Sequence, residues 1–196
     1  MGWSLSWAAL KDGNVQTVCA ALGLRATGKR EGIAESKIAG TALPTGWYVV
    51  VFNRTEIKDK TLENLSKSGE AIGCFVEEHV MFSSASAWKN GKKLWHVAHK
   101  GEEGDVLDLE TSGDLPAEFE SIRKDLFAKQ EKEATEDDEL KVDHVFDLPA
   151  QLAKKLTGFR HDEDVPGLGD EPFEVLEPAK GSSWNPLKRL FGGSDS

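Results

Sequence analysis

The spacing of apolar residues predicts strands and short helices through the first 80 residues. WSLSWAAL at 3–10 alternates between large apolar and small residues, which is typical of a strand. NVQTVCAAL at 14–22 repeats its apolar positions at helical spacing, and Gly23 is expected to end that helix. TGWYVVVFN at 45–53 is almost continuously apolar, as in a strand buried on both faces. The pattern predicts a second helix over 61–68.

The middle of the chain is predicted to be an antiparallel meander. A long strand is expected over residues 71–88. KKLWHVAHK is expected to return beside it after Asn90-Gly91, because this dipeptide accepts the positive φ angles of a two-residue hairpin turn. DVLDLETS at 105–112 mixes charged and apolar residues, and therefore predicts a strand at the edge of the sheet.

Two further helices are predicted in the second half of the chain. AEFESIRKDLFAKQEKEA at 117–134 has the clearest helical pattern. Its apolar stripe consists of Phe119, Ile122, Leu126 and Phe127. A short strand is expected at 142–146, followed by Asp147 as a helix cap and by a helix that ends at Gly158.

These elements predict the α+β class, with a mostly antiparallel sheet and three to four helices packed on it. A chain of 196 residues is long enough to bury a core without disulfides. Cys19 falls in a predicted helix and Cys74 in a predicted strand, so both are expected to be buried apolar side chains. We predict a single domain over residues 1–178 and a flexible tail over residues 179–196.

Charge is distributed unevenly along the chain, whose net charge is −10. Residues 101–140 hold 15 acidic and 4 basic side chains, and their densest part, EKEATEDDELK, is expected to be a solvated loop. This balance argues against general nucleic-acid binding, which requires clustered Lys and Arg. The sequence lacks both a secretory signal pattern and the roughly 20 apolar residues of a membrane helix. We therefore expect a cytoplasmic location without membrane contact.

GFRHDEDVPG, at 158–167, places four ionisable residues in a row and raises the question of a metal site. Asp162, Asp164 and Gly167 match three positions of a calcium-binding EF-hand loop. However, Phe173 stands where a bidentate Glu is needed, and a single nearby histidine is too few for zinc. The sequence therefore predicts no metal and no cofactor.

The same segment is a candidate contact surface. Phe159 is expected to turn back onto the last turn of the preceding helix, after Gly158 ends it. The polar residues that follow then form either a solvated loop or a surface for a partner. The candidate partner-binding residues are Arg160, His161, Asp162, Glu163 and Asp164.

A second group of ionisable residues, Glu77, Glu78 and His79, lies in the predicted long strand. Alternation along a strand puts Glu77 and His79 on one face and Glu78 on the other. Such residues serve acid-base chemistry only if a cleft gathers them. The alternative is that the carboxylates pair with nearby lysines on a solvent-exposed face.

Two histidines lie in the strand that follows the predicted hairpin turn. Counting residue pairs from that turn places His99 opposite Phe82 and His96 opposite Ala85. Because the histidines are three residues apart on one strand, they are expected to point to opposite sides of the sheet.

The tail is the second candidate surface. EPAKGSSWNPLKRLFGGSDS places a flexible Gly-Ser-Ser hinge before an apolar cluster that contains two basic residues. Its candidate docking residues are Trp184, Leu187, Leu190 and Phe191. Such a segment is typical of a short linear motif that enters a partner's groove. The alternative is that Trp184 and Phe191 fold back onto the domain.

Four segments, MGWS at the start, GWYVVVFNR, CFVEEHVM and LTGFRHDED, resemble an uncharacterised family of bacterial proteins. The resemblance covers most of residues 1–177 and leaves the tail outside. It implies a bacterial protein and no particular activity.

The sequence contains no phosphate-binding loop, nucleophile elbow, His-Glu-x-x-His or Cys-x-x-Cys motif. We therefore interpret the chain as a non-catalytic cytoplasmic binding or regulatory protein that acts through a protein partner. The alternative is a small hydrolase or metal-dependent enzyme that uses Glu77 and His79 or the loop from His161 to Asp164. A deep pocket lined by Glu77, His79 or His161 is the feature that an enzyme needs and a binding module does not.

Overall fold

The computed structural model describes residues 2–101, 106–136 and 142–180, with the side chains of residues 134–136 excepted. The strands are β1 (Ser4–Lys11), β2 (Leu24–Glu31), β3 (Ile38–Ala42), β4 (Trp47–Asn53), β5 (Ala71–Glu77), β6 (Phe82–Lys89), β7 (Lys92–Lys100), β8 (Glu110–Gly113) and β9 (Phe173–Pro178). The helices are α1 (Val15–Leu22), α2 (Asp59–Leu65), α3 (Glu118–Glu136) and α4 (Leu148–Thr157). The predicted α+β class is confirmed.

All nine described strands belong to one antiparallel sheet, in the order β2-β9-β3-β4-β1-β5-β6-β7-β8. β1 lies at the centre, between β4 and β5. β9 comes from the far end of the chain and inserts between β2 and β3. β8 is one edge of the sheet, as expected for this region, but it begins only at Glu110, and Val106 and Leu107 form a turn before it.

Helices cover both faces of the sheet, and β4 shows how one strand serves both. Its residues are buried from Trp47 to Phe52. Val49 and Val51 belong to the core under α3 and α4, whereas Val50 belongs to the core under α1 and α2, together with Phe52. The predicted burial of this strand on both faces is therefore confirmed.

Two helices end at the glycines that the sequence predicts, and α1 also begins with a side-chain cap. Asn14 accepts a hydrogen bond from the Thr17 amide at 2.9 Å and so caps α1, which ends at Gly23 with φ 63°. α4 ends at Gly158 with φ 84°. A Cβ atom at this position would lie 2.7 Å from Thr45 Cγ2, so both the backbone angle and the available space require glycine.

The prediction of one long strand over residues 71–88 is wrong, because the chain forms two strands there. A 3₁₀ turn at Glu78–Val80 separates β5 from β6, and Met81 follows it with φ 48°. The two strands pair as a hairpin. No Gly, Pro or Asn marks this turn in the sequence, whereas the predicted turn at Asn90-Gly91 has those residues and is present.

The predicted register of the second hairpin is off by one residue. Leu94 is an extra residue in β7 and forms a bulge two pairs from the turn. His99 therefore pairs with Ser83, and His96 pairs with Ser86.

The strand expected at 142–146 is also wrong, since Val145–Asp147 forms a 3₁₀ turn that leads into α4. Gln130 on α3 explains how this segment is held. Its side chain donates to the Val142 carbonyl at 3.1 Å and accepts from the His144 amide at 2.7 Å. A helix side chain thus satisfies backbone groups that a neighbouring strand was expected to pair.

The apolar stripe of α3 packs as the sequence predicts. Phe119 and Leu126 are buried, and Ile122 and Phe127 are partly buried against the same core. That core lies between α3, α4 and one face of the sheet.

Candidate functional site

An open cleft of about 1610 Å³ lies at one end of the sheet. Its walls are the start of β1 at residues 2–5, the β2–β3 loop at residues 32–37, and the segment after α4 at residues 159–165. The end of β4 and parts of β9 complete the lining. The antiparallel order places these strand ends together, because β1 and β3 begin where β4, β5 and β9 end.

Hydrogen bonds fix the β2–β3 loop as one wall of the cleft. The Asn53 side-chain amide donates to the carbonyls of Ala34 and Ser36, each at 2.7 Å. The Glu31 carboxylate accepts from the Ser36 amide at 3.1 Å and from the Ser36 hydroxyl at 2.7 Å. These bonds tie the loop to the ends of β2 and β4, so the wall is pre-formed.

Arg160 fixes the opposite wall. Its side chain is 12% exposed, and it donates from Nη2 to Asp147 Oδ1 at 2.8 Å and from Nε to Asp162 Oδ1 at 2.7 Å. Burial alone would lower the pKa of Arg160, but the Asp162 hydrogen bond and the Asp147 charge raise it overall. The guanidinium charge is thus already paired. Asp147 makes no side-chain cap to α4, which corrects the predicted cap.

His161 brings a buried, unpaired nitrogen to the cleft. Its side chain is 4% exposed, and its ring stands edge-on to Trp3 with the centroids 5.4 Å apart. Nδ1 is buried without a hydrogen-bond partner, and Asp162 Oδ1 lies 3.9 Å away. Burial lowers the pKa of His161, so the ring is neutral near pH 7. A buried polar atom without a partner costs about 1–3 kcal/mol, which a ligand group that reaches Nδ1 would recover.

The segment after α4 is therefore only partly a solvated loop. Arg160 and His161 are held against the domain, whereas Glu163 and Asp164 are exposed. Glu163 forms an ion pair with Lys154 of α4. The described structure thus divides the five predicted contact residues into buried anchors and an exposed acidic rim. No local pattern in the sequence distinguishes the two groups.

Glu77 lies at the end of β5 and joins the start of β1 to the turn after β5. Its Oε2 atom accepts from the Ser4 hydroxyl at 2.5 Å, and its Oε1 atom lies 2.8 Å from His79 Nδ1. Burial would raise the pKa of Glu77, but the bonds from Ser4 and His79 lower it overall. Glu78 instead accepts from the Trp3 amide at 2.8 Å. Glu77 and His79 are therefore in contact through the 3₁₀ turn, and not as residues on one face of a long strand, which was the prediction.

Three candidate nucleophiles, Ser4 at the cleft and the two cysteines elsewhere in the described structure, are not activated. The Ser4 hydroxyl donates to Glu77, whose lowered pKa makes it a weak base for that proton. Cys19 and Cys74 are free and buried, as predicted. Burial raises the pKa of Cys74 to about 12 and also raises that of Cys19, so neither thiol ionises near pH 7. Among the described residues, no three His, Cys, Asp or Glu side chains cluster as metal ligands.

His96 and His99 lie outside the cleft. His99 is fully buried, with Nε2 2.8 Å from Asp143 Oδ2 and Nδ1 2.6 Å from the Asp108 carbonyl. Burial would lower the pKa of His99, but the hydrogen bonds to Asp143 and Asp108 raise it overall. Burial lowers the pKa of His96. The His99 pair joins β7 to the segment before α4 and is a structural contact.

The cleft combines an apolar lining with an acidic rim. Its apolar residues include Leu5, Val51, Phe159 and Phe173 in the core and the exposed side chains of Trp3 and Ile33. The acidic lining residues are Glu35, Glu77, Asp162, Glu163, Asp164 and Glu177. The basic lining residues are Lys37, Arg54 and Arg160. The lining thus holds six acids and three bases, but Lys154 and Arg25 pair with Glu163 and Glu177 from outside it, so the acidic excess of the cleft is small.

The second predicted contact surface cannot be placed in this geometry. Trp184, Leu187, Leu190 and Phe191 lie outside the described residues, as do residues 137–141 of the dense acidic stretch. Residues 131–136 of that stretch are the last residues of α3 and not the solvated loop expected there.

Two findings bear on the wider classification of the chain. Within the described ranges, no helix is both long and apolar enough to cross a bilayer. Comparisons with protein-family models, with curated proteins and with solved structures find no match to this chain, so its resemblance to a bacterial family stays a prediction.

Proposed function

We propose that this chain is a non-catalytic cytoplasmic binding or regulatory protein whose cleft takes an extended segment of a partner protein. The volume of the cleft, about 1610 Å³, carries the proposal. Sites for small molecules commonly enclose roughly 300–1,000 Å³. A stretch of several peptide residues is a better match for the larger volume and the open shape.

The lining defines the chemistry of that segment. Trp3 and Ile33 are 46% and 64% exposed, and they offer apolar contact at opposite walls of the cleft. The acidic excess favours Lys and Arg side chains over Asp and Glu in the partner. We therefore propose a segment that carries both large apolar and basic side chains.

His161 adds a directional contact to this proposal. Its ring is neutral near pH 7 because burial lowers its pKa. Nδ1 is buried in the described structure, so the proposal requires that the partner segment displaces the cover of this atom and forms one hydrogen bond with it.

Fluorescence anisotropy with two labelled octapeptides tests the proposal. One alternates Leu and Phe with Lys, and the other has Glu in place of each Lys. We expect the basic peptide to bind the full chain saturably and the acidic peptide to bind more weakly. The double variant Trp3→Ala and Ile33→Ala should lose about tenfold or more in affinity for the basic peptide, since each buried large apolar contact is worth roughly 1.5–3 kcal/mol.

Leu94→Ala is the matched control, because Leu94 is 39% exposed and lies outside the cleft. It should leave the affinity unchanged. The proposal fails if the basic peptide binds neither the native chain nor a full-length chain whose tail residues Trp184, Leu187, Leu190 and Phe191 are all replaced by Ala.

A hydrolase that acts in the same cleft is the second candidate. The observation in its favour is that Glu77, His79 and His161 all line the cleft, which is the lining expected of an enzyme site, although the cleft is open and not a deep pocket. Glu77 holds His79 through Nδ1, which leaves Nε2 as a general base for water. Mass spectrometry of the basic peptide after incubation separates the two functions. Cleavage that is lost in His79→Gln would favour the hydrolase, and an intact peptide favours the binding protein.

A further inference from the structure

We infer that residues 181–196 of this chain occupy the cleft in the free protein and compete with the partner segment. The inference rests on the proposed function, because it names a first occupant of the same cleft. It also selects between the two predictions for the tail, docking on a partner or folding back onto the domain.

The position of the tail supports this occupant. β9 contributes Glu177 and Pro178 to the lining of the cleft, and Lys180 is the last described residue. A segment of 16 residues follows it. Fully extended, such a segment spans roughly 50 Å, whereas a compact domain of this length is only about 40 Å across. The tail therefore starts at the cleft and can reach all of it.

The composition of the tail matches the lining of the cleft. WNPLKRLF contains four large apolar side chains, which suit the apolar lining and the exposed Trp3 and Ile33. Lys188 and Arg189 suit the acidic excess. The acidic residue of the segment, Asp195, lies beyond this cluster. The tail thus has the side-chain chemistry proposed for the partner.

Tethering makes even a weak contact effective. A segment joined by a short flexible linker experiences an effective concentration of about 1 mM. A tail with an intrinsic dissociation constant of roughly 100 μM would therefore occupy the cleft about 90% of the time. Removal of its apolar side chains should raise the affinity for an external peptide about tenfold.

The test compares three full-length chains. The native chain is compared with the tail-substituted chain, in which Trp184, Leu187, Leu190 and Phe191 are all replaced by Ala. The matched control carries Ser194→Ala and Ser196→Ala, which keep the apolar cluster. Hydrogen exchange is measured by mass spectrometry over residues 32–38 and 160–165, and the affinity for the basic octapeptide is measured by anisotropy.

We expect slower exchange at both cleft walls in the native and control chains than in the tail-substituted chain. We also expect the tail-substituted chain to bind the octapeptide about tenfold more tightly. Lys188→Glu together with Arg189→Glu should have the same direction of effect, because it removes the charge match.

The two readouts distinguish failure of the inference from failure of the proposed function. Equal exchange in all three chains would overturn the inference, and the proposed function stands if the octapeptide still binds. A change in exchange without any octapeptide binding would support the inference and contradict the proposed function. Protection that is lost on dilution would place the tail in the cleft of a second copy and would overturn occupancy within one chain.

Discussion

The Arg160 guanidinium donates to the Asp147 carboxylate at 2.8 Å, so the segment that follows α4 is tied to the residue that precedes it. Asp162 holds the same guanidinium from the other side. His161 lies between Arg160 and Asp162 in the chain, and its ring contacts Trp3 of the N-terminal segment. The contact between Arg160 and Asp147, at the two ends of α4, therefore positions one wall of the cleft.

Replacement of Arg160 by Ala should lower the free energy of unfolding by about 2 kcal/mol, because hydrogen bonds to charged groups are worth roughly 1.5–3 kcal/mol. The guanidinium is largely buried, and its loss leaves the carboxylates of Asp147 and Asp162 unpaired. Denaturant unfolding measures the change. Lys154→Ala is the control, since its ion pair with Glu163 is exposed and should be worth under about 1 kcal/mol. Equal losses in the two variants would contradict the anchoring role of Arg160.

Replacement of His161 by Phe should separate stability from binding. Phe fills a similar volume without a buried unpaired nitrogen, so stability should stay level or rise by about 1 kcal/mol. Affinity for the basic octapeptide should fall, because the hydrogen bond from Nδ1 is lost. Thermal melts and anisotropy on the same preparation provide both values. A marked drop in stability would show that His161 Nδ1 already makes a stabilising contact within the chain.

Stability should decline as the pH rises above about 6.5, the ordinary pKa of an unfolded histidine. The folded pKa of His99 is raised, so above pH 6.5 the folded state binds more protons than the unfolded state, and the free energy of unfolding falls until the folded pKa is passed. His96 and His161 have lowered pKa values and act in the opposite sense, below pH 6.5.

Urea unfolding at pH 6, 7, 8 and 9 measures this slope. In Asp143→Asn the carboxylate that holds the charged ring is gone, so the decline should be smaller. The same slope in the native and variant chains would exclude His99 as its source.

Replacement of Gly158 by Ala should destabilise the fold by about 1–3 kcal/mol, because a residue with a Cβ atom is strained at φ 84°. The added atom would also meet Thr45 Cγ2 at 2.7 Å. Hydrogen exchange over residues 159–165 should become faster than in the native chain, since this segment begins at the strained turn. Gly169→Ala, where nothing lies within 4 Å of the added atom, is the control and should have little effect.

Local patterns were enough to predict much of the fold. The alternation at β1, the continuous apolar run at β4 and the glycines that end α1 and α4 all depend on neighbours within a few positions. Three strands, β2, β3 and β9, were not predicted. β2 is mostly polar and exposed at the sheet edge, and β3 and β9 are short. The left-handed backbone at Met81 and the bulge at Leu94 were missed for a related reason, since neither has a residue type that marks it.

The cleft illustrates what the sequence alone could not decide. Periodicity and capping correctly predicted that α4 ends at Gly158 and that Phe159 packs back onto the domain, because those preferences act between residues close in the chain. Whether His161 is solvated or buried depends instead on Trp3, which lies 158 positions earlier and reaches it only through the pairing of β1 with β4 and β5. Burial and charge pairing are set by groups that the tertiary structure brings together. For this reason the four polar residues from His161 to Asp164 differ in the fold, where the histidine is buried and the three acids form a rim.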